Sequence, residues 1–166
     1  NDVSADLYAL SENSNFVICS GAKSILDLSK TNELLETLGI TRIGYQTNYM
    51  PGFWYEETEN KVDNKFDEIH EISSFLKLNE NMGNKKSILI FNKVPLEKAL
   101  NKNDVEKWIN NATIKADRNN ISGKELTPFL IKEINEQSKN ETLNANVSLI
   151  INNANLAGKI AKSFYS

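Results

Sequence analysis

The chain contains little cysteine, little histidine and no excess of positive charge, and each shortage excludes a kind of protein. Its one cysteine excludes a disulfide framework within the chain, and it agrees with the reducing conditions of the cytoplasm. Its one histidine, His70, excludes a metal site made of several histidines of this chain. With a net charge of -3, the composition gives no basic surface for nucleic acid. We therefore expect a cytoplasmic protein that does not bind nucleic acid.

Membrane and export signals are missing as well. No apolar run approaches the ~20 residues of a membrane-spanning helix, and residues 1–4 lack the basic and apolar regions of a signal peptide. We therefore expect no membrane partner. The chain begins with Asn1 and not with methionine, so we expect that it has been processed, truncated or cut out of a larger protein. Hydrophobic residues make up 40% and charged residues 25% of the sequence, which is typical of one globular domain.

Short apolar runs alternate with amphipathic segments along the chain. The apolar runs predict strands at 16–19, 42–45 and 87–91. The amphipathic segments predict helices at 4–10, 25–28, 31–38, 66–78, 104–119, 127–137 and 142–165. We expect an α/β fold with three layers, α/β/α, around a central mixed sheet. Three or four short strands under so many helices would leave sheet edges unpaired, so we expect the chain to be part of a domain whose other part is absent.

Lys23 is a candidate for covalent chemistry. It follows the predicted strand 16–19 and a turn at Gly21, and a helix is predicted to begin at Lys23 or Ser24. The positive end of a helix dipole and partial burial both disfavour the ammonium form, so we expect the pKa of Lys23 to be lowered. An amine with a lowered pKa can attack a carbonyl and form a Schiff base. An exposed, solvated lysine beside a helix N-terminus is the commoner alternative on spacing alone.

Three polar residues alternate near the N-terminus, namely Asp2, Ser4 and Asp6. Two carboxylates at this spacing, with a hydroxyl between them, can serve a hard cation and an anionic substrate. Helix capping by Asp2 or Ser4, with Asp6 in the first turn, explains the same residues without a ligand and is the commoner case.

Two further groups have the chemistry to bind a ligand. Asn146, Asn152 and Asn153 can hydrogen-bond a ligand from a helix, although surface asparagine is the commoner alternative. The aromatic residues 53–55 can stack on a base. Packing in a core or at a subunit contact is the commoner fate of such a run.

Six segments together carry a resemblance to a known family. They are 2–7 (DVSADL), 19–28 (CSGAKSILDL), 35–39 (LETLG), 43–47 (IGYQT), 123–130 (GKELTPFL) and 152–154 (NNA). In one register along essentially the whole chain, they resemble the indigoidine-synthase-A-like family of pseudouridine-5′-phosphate glycosidases. The resemblance implies that residues 1–166 are the C-terminal part of a single domain of that family.

The resemblance also implies roles for individual residues. Lys23 matches the lysine that forms a covalent imine with the sugar carbon. Asp2 matches an aspartate that helps hold a divalent metal, typically Mn²⁺, largely through water. Contacts with the sugar phosphate and the base are implied for three neighbouring residues: Ser4, Ala5 and Asp6. Asn146 falls where the family has an asparagine near the base.

The implied activity is reversible cleavage of pseudouridine 5′-phosphate to uracil and ribose 5-phosphate. Because the bond between sugar and base joins two carbons, the pair of carboxylates of an ordinary glycosidase has no oxygen to protonate. An imine between Lys23 and the ring-opened sugar would supply the electron sink instead. The family's catalytic glutamate, its second lysine and its Gly-rich loop belong to an N-terminal half that is absent here, so we expect the isolated chain to be inactive.

The resemblance also implies an oligomeric state, and two alternative functions stay open. Family members are trimeric, which implies a homotrimer of complete protomers. A related C-glycosyl enzyme acting on another aromatic aglycone stays open, since the lysine chemistry is common to both. A non-catalytic structural or assembly partner stays open as well, because the half that carries the glutamate is missing.

Overall fold

The structure, a computed structural model, describes residues 6–166. Its helices are α1 (Asp6–Glu12), α2 (Leu28–Thr37), α3 (Ile69–Asn81), α4 (Lys102–Arg118), α5 (Leu126–Gln137) and α6 (Glu141–Phe164). Its strands are β1 (Phe16–Cys19), β2 (Thr41–Tyr45), β3 (Asn64–Phe66) and β4 (Ile88–Phe91). Short 3₁₀ turns occupy Leu96–Lys98 and Gly123–Glu125. The expected alternation of strands and helices, and hence the α/β class, is confirmed.

The four described strands form one parallel sheet in the order β1-β4-β2-β3. The apolar strand β4 lies inside the sheet, with Ile88 paired to Phe16 on one side and to Thr41 on the other. We expected mixed pairing, and these strands pair only in parallel. Each connection runs back to the same end of the sheet: α2 lies between β1 and β2, the segment 46–63 between β2 and β3, and α3 between β3 and β4.

Helices cover both faces of the sheet, which confirms the three-layer arrangement. On one face, α3 and α6 pack Ile72, Leu76, Leu156 and Ile160 against the strands. On the other face, α1 and α2 pack Leu7 and Leu35 against β1 and β4. A third apolar cluster joins α4, α5 and the first half of α6 around Trp54. Within residues 6–166, no helix is long and apolar enough to cross a membrane.

Side-chain caps explain two of the helix starts that differ from the prediction. We predicted a helix at 25–28 and a second one capped by Thr31. Instead one helix, α2, begins at Leu28, because the carboxylate of Asp27 accepts the backbone N–H of Lys30 at 3.0 Å. Helix α4 begins at Lys102 and not after Asp104, because the side chain of Asn101 accepts two backbone N–H groups of the first turn.

The apolar pattern of the segment 104–119 predicts inward positions for four residues: Val105, Trp108, Ile109 and Ile114. Ile114 is instead 42% exposed. The buried face of α4 is set by Val105, Ala112 and Ala116. Ile114 lies about two and a half turns beyond Val105, and therefore on the opposite side of the helix. The predicted inward positions of Trp108 and Ile109 are confirmed, since both pack against the core.

The sheet has an apolar edge. Among the described strands, β1 pairs only with β4. All four of its residues, Phe16 to Cys19, are only partly buried. An apolar edge strand of this kind is a template for pairing with a further strand.

Candidate active site

A cavity of about 660 Å³ lies over the edge strand β1, between α1 and the chain segment 20–27. Asp6 and Lys23, two residues singled out from the sequence, both line it. Phe53 and Thr127 add side chains from distant parts of the chain. Much of the wall is apolar and comes from the sheet and α2: Val17, Leu35, Leu89 and Phe91. An apolar pocket with a few polar groups is a typical ligand site.

The surroundings of Lys23 differ from the prediction. No helix begins at Lys23, whose carbonyl accepts the backbone N–H of Leu26 at 2.9 Å in a turn. Helix α2 begins only at Leu28, and Lys23 is exposed. Both premises of the sequence argument, a helix N-terminus and partial burial, are therefore wrong for the described residues. The local apolar pattern had suggested a helix, but Ile25 and Leu28 are apolar because they pack against the core around Trp54.

The turn that carries Lys23 lies tightly against residues 51–53. Gly21 has a φ of +85°, a backbone conformation that favours glycine. A Cβ atom at Gly21 would lie 2.1 Å from the carbonyl oxygen of Pro51. The two backbone segments therefore approach each other here at a distance that only a glycine at position 21 allows.

Hydrogen bonds hold the two segments together. The backbone N–H of Phe53 donates to the carbonyl of Ser20 at 3.0 Å. The hydroxyl of Ser24 donates to the carbonyl of Gly52. Since these bonds lie on both sides of Lys23 in the sequence, the backbone that carries the lysine is fixed, while its long side chain reaches the cavity.

Asn153 joins the carboxyl ends of β1 and β4. Its amide nitrogen donates to the hydroxyl of Ser20 at 3.1 Å, and its carbonyl oxygen accepts the amide of Asn92 at 3.0 Å. Ser20 is 1% exposed and Asn92 is 6% exposed. Its neighbour Asn152 instead donates to the backbone carbonyl of Lys93 at 3.1 Å and does not line the cavity, so the structure does not bring Asn152 into the candidate site.

Asn146 is held by a buried tryptophan. The indole N–H of Trp54 donates to the side-chain oxygen of Asn146 at 2.7 Å, and Trp54 is 2% exposed. Trp54 is therefore part of the core, where it also contacts Phe53 edge-on. Asn146 is partly buried and does not line the cavity that Asp6 and Lys23 share.

Cys19 also lines the cavity. Burial raises the pKa of its thiol to about 11, although the backbone N–H of Gly21 opposes the shift. The thiol is therefore neutral near pH 7, and it forms a small part of the apolar lining and does not act as a nucleophile.

The remaining predicted site residues lie at the start of the chain. Asp2, Ser4 and Ala5 are outside the described residues. Asp6 stands in the first turn of α1 and lines the cavity. Within residues 6–166, no three His, Cys, Asp or Glu side chains cluster to hold a metal ion.

Comparison with known proteins identifies the family of this chain. The family of indigoidine synthase A like proteins matches residues 1–163. The chain belongs to this family. The expectation from the six segments is thereby confirmed.

Several curated relatives of this chain are named pseudouridine-5′-phosphate glycosidase. The pseudouridine-5′-phosphate glycosidase of Kosmotoga olearia is 44% identical over 160 residues, which are 96% of this chain and 55% of the relative. The one of Petrotoga mobilis is 44% identical over 163 residues, which are 98% of this chain and 53% of the relative. The chain thus spans about half the length of the curated relatives it matches.

Two solved structures share the fold of this family member. The prealnumycin C-glycosynthase AlnA, determined in complex with ribulose 5-phosphate, matches with a TM-score of 0.92 and 28% identity, over 98% of this chain and 54% of that protein. An indigoidine synthase A-like protein from Thermotoga maritima matches with a TM-score of 0.86 and 34% identity, over 96% of this chain and 53% of that protein.

Sequence reasoning missed the partners of Asn153. Ser20 and Asn92 each follow directly on a parallel strand, β1 and β4. Ligand sites in parallel sheets gather beyond the carboxyl ends of the strands. A search for polar residues at those two positions would have found the cluster.

Proposed function

We propose that this chain is the C-terminal half of a pseudouridine-5′-phosphate glycosidase, which reversibly cleaves pseudouridine 5′-phosphate to uracil and ribose 5-phosphate. The observation that carries the proposal is the shared cavity of Lys23 and Asp6. This cavity lies in a chain that is 44% identical to two relatives of that name. The match to a C-glycosynthase, determined in complex with ribulose 5-phosphate, supports a sugar phosphate as the small-molecule substrate.

Lys23 acts as the nucleophile in this proposal. In the cleavage direction its amine binds C1 of the ribose as the bond from C1 to the ring oxygen breaks, and the ring oxygen takes up the proton that the amine loses. The bond from C1 to C5 of uracil then breaks, and its electron pair stays on the uracil carbon, which takes up a proton. The nitrogen lone pair forms the imine, and water hydrolyses it to ribose 5-phosphate and the free amine. The tight turn around Gly21 holds the lysine backbone in place through these steps.

The start of the chain and α6 bind the substrate. We assign contacts with the sugar phosphate and the base to three neighbouring residues: Ser4, Ala5 and Asp6. Asn146 contacts the base. Because Trp54 donates to the side-chain oxygen of Asn146, the amide nitrogen is the group that Asn146 presents, and it suits a carbonyl oxygen of uracil.

A divalent metal, Mn²⁺ in our proposal, is held with the help of Asp2. Since residues 6–166 contain no cluster of three metal-binding side chains, the ion would take few ligands from this chain. A carboxylate with water in the other positions suits a hard cation. When bound, the ion would orient uracil and stabilise negative charge on it.

The N-terminal half is the proposed partner of this chain. The relatives are about twice as long as this chain, and the apolar edge of β1 is free among the described strands. We propose that the N-terminal half adds to this edge and supplies the glutamate and second lysine, so that the isolated chain is inactive. The complete enzyme would act in the cytoplasm.

We also propose that complete protomers form a homotrimer. One face of α6 carries four exposed large apolar side chains: Leu143, Val147, Ile150 and Ile151. The core face of the same helix lies on the opposite side. A helix that is apolar on two sides needs a second cover, and a neighbouring protomer provides it.

A related C-glycosyl enzyme with another aromatic aglycone is the second candidate. The match to AlnA at a TM-score of 0.92 favours it. Both candidates require Lys23, and they differ only in the base.

Borohydride trapping tests the proposal. The chain with its N-terminal half is incubated with ribose 5-phosphate and a borohydride reductant, and its intact mass and peptide map are measured. We expect one sugar-phosphate adduct on Lys23, no adduct in Lys23→Arg, and an unchanged adduct in the control Lys30→Arg, another exposed lysine nearby. An unmodified Lys23 in the wild type would refute the proposal. Product formation with uracil or with larger aromatic aglycones then separates the two candidates.

A further inference from the structure

Asn153 connects the helix layer to the strand that leads into the Lys23 turn. It lies in α6 and reaches Ser20, 133 residues earlier in the chain. Ser20 returns a weaker hydrogen bond from its hydroxyl to the side-chain oxygen of Asn153, at 3.4 Å. The same oxygen accepts the amide of Asn92. One side chain thus links the ends of two neighbouring parallel strands.

Ser20 connects Asn153 to the turn that carries Lys23. It is the last residue before Gly21, and its carbonyl accepts the backbone N–H of Phe53 at 3.0 Å. The side chain of Ser20 is therefore fixed by α6, and its main chain is fixed by the segment that also contacts Gly21. Movement of Ser20 would move the turn on which Lys23 stands.

The bonds of Asn153 explain its amide orientation. Its oxygen accepts from a second amide and its nitrogen donates to a hydroxyl. An aspartate would lose the donor, and an alanine would lose every bond to Ser20 and Asn92. Buried polar groups such as Ser20 and Asn92 retain a single arrangement only while their partners are present.

We propose that Asn153 is a positioning residue for the covalent step, acting on Lys23 through Ser20. This inference rests on the proposed role of Lys23 as the imine-forming lysine. Asn153 makes no contact with the reacting atoms in it. Its part is to hold the Lys23 turn where the amine can reach the sugar carbon, since a misplacement of about 1 Å can lower a rate by about 10²-fold.

Asn152 offers a matched control. It is the preceding residue of the same helix, it is also partly buried, and its side chain donates one hydrogen bond to the segment after β4. Its partner is the backbone carbonyl of Lys93, and that bond does not involve Ser20. The same substitution at the two positions therefore separates the connection to Ser20 from the general loss of a helix-to-loop bond.

The test measures the rate of imine trapping at saturating ribose 5-phosphate in the complete enzyme, with the N-terminal half present. We expect Asn153→Ala to lower this rate by about 10- to 100-fold and to change the KM for ribose 5-phosphate far less. Asn152→Ala keeps the rate within about twofold. Ser20→Ala reproduces the loss, and adding it to Asn153→Ala lowers the rate no further, because both remove the same contact between the two side chains.

Three outcomes would overturn the inference. The first is a wild-type trapping rate in folded Asn153→Ala protein, or in Ser20→Ala protein if the first variant does not fold. The second is an equal loss in Asn152→Ala. The third is additive losses in the Ser20 and Asn153 double variant. A wild-type enzyme that forms no adduct would instead refute the proposed function, and this inference with it.

Discussion

Replacement of Gly21 by alanine tests whether the Lys23 turn depends on the close approach of two backbone segments. Gly21→Ala introduces two costs. The positive φ costs an alanine about 1–2 kcal/mol. In addition, the new Cβ would lie 2.1 Å from the carbonyl oxygen of Pro51, which is backbone and cannot rotate away.

The contact can be relieved only if the segments separate. Separation weakens the bonds from Phe53 to Ser20 and from Ser24 to Gly52, each of which contributes about 1 kcal/mol. We therefore expect Gly21→Ala to lower the free energy of unfolding by about 3–4 kcal/mol. The imine-trapping rate of Lys23 should fall as well, because the turn moves.

Gly83→Ala is the matched control. Gly83 has a φ of +73° and nothing within 4 Å of a Cβ atom, so it carries the cost of the backbone conformation alone, about 1–2 kcal/mol. Urea unfolding of both variants measures the difference, which we expect to be about 2 kcal/mol. Equal losses in the two variants would show that the approach of Gly21 to Pro51 does not hold the turn.

Three further predictions concern other parts of the site and the assembly. Because the pKa of Cys19 is raised to about 11, its alkylation at pH 7.5 should be about 10²-fold slower than that of a free thiol. The stability that the neutral thiol contributes is complete below about pH 8.5 and declines as the pH rises toward 11. Rapid alkylation at pH 7.5 would contradict both statements. Trp54→Phe removes the hydrogen bond that orients Asn146 and should raise the KM for uracil more than that for ribose 5-phosphate in the synthetic direction, whereas equal changes would argue against a role of Asn146 at the base. Ile150→Glu should convert the proposed trimer to smaller species in light scattering after gel filtration, whereas the control Leu96→Glu, at an exposed side chain that is not part of α6, should not. A trimeric Ile150→Glu protein would exclude this face as the contact.

Local pattern predicted the apolar strands well and the polar, exposed strand poorly. Strand β1 was predicted at 16–19 and observed there, because its four apolar residues stand between polar neighbours. Strand β3, Asn64–Phe66, was missed: two of its three residues are exposed, so it shows no apolar pattern. Its pairing with β2 depends on the sheet and not on its own sequence.

Side-chain partners far apart in the sequence were beyond prediction. The sequence left open whether Trp54 stacks on a base or packs in a core. Its hydrogen bond to Asn146, 92 residues later, decides for the core. The link between Asn153 and Ser20 spans 133 residues. Periodicity reports which face of a helix is buried, but it carries no information about which distant polar group meets that face.

The exposure of Lys23 indicates where its reactivity would arise. Nucleophilic lysines gain their reactivity from desolvation or from a neighbouring positive charge, and the described residues provide neither the burial nor the helix terminus that the sequence had suggested. The cavity that Lys23 lines lies over the edge strand β1, the edge to which we assign the N-terminal half. Association at that edge would cover the cavity, remove water from the amine and so disfavour its charged form. Lys23 would then become reactive only in the assembled enzyme. When the chain is titrated with its N-terminal half, imine trapping should rise with the amount of complex and saturate at one N-terminal half for each chain. Efficient trapping by the chain alone would show instead that Lys23 is activated by its own turn.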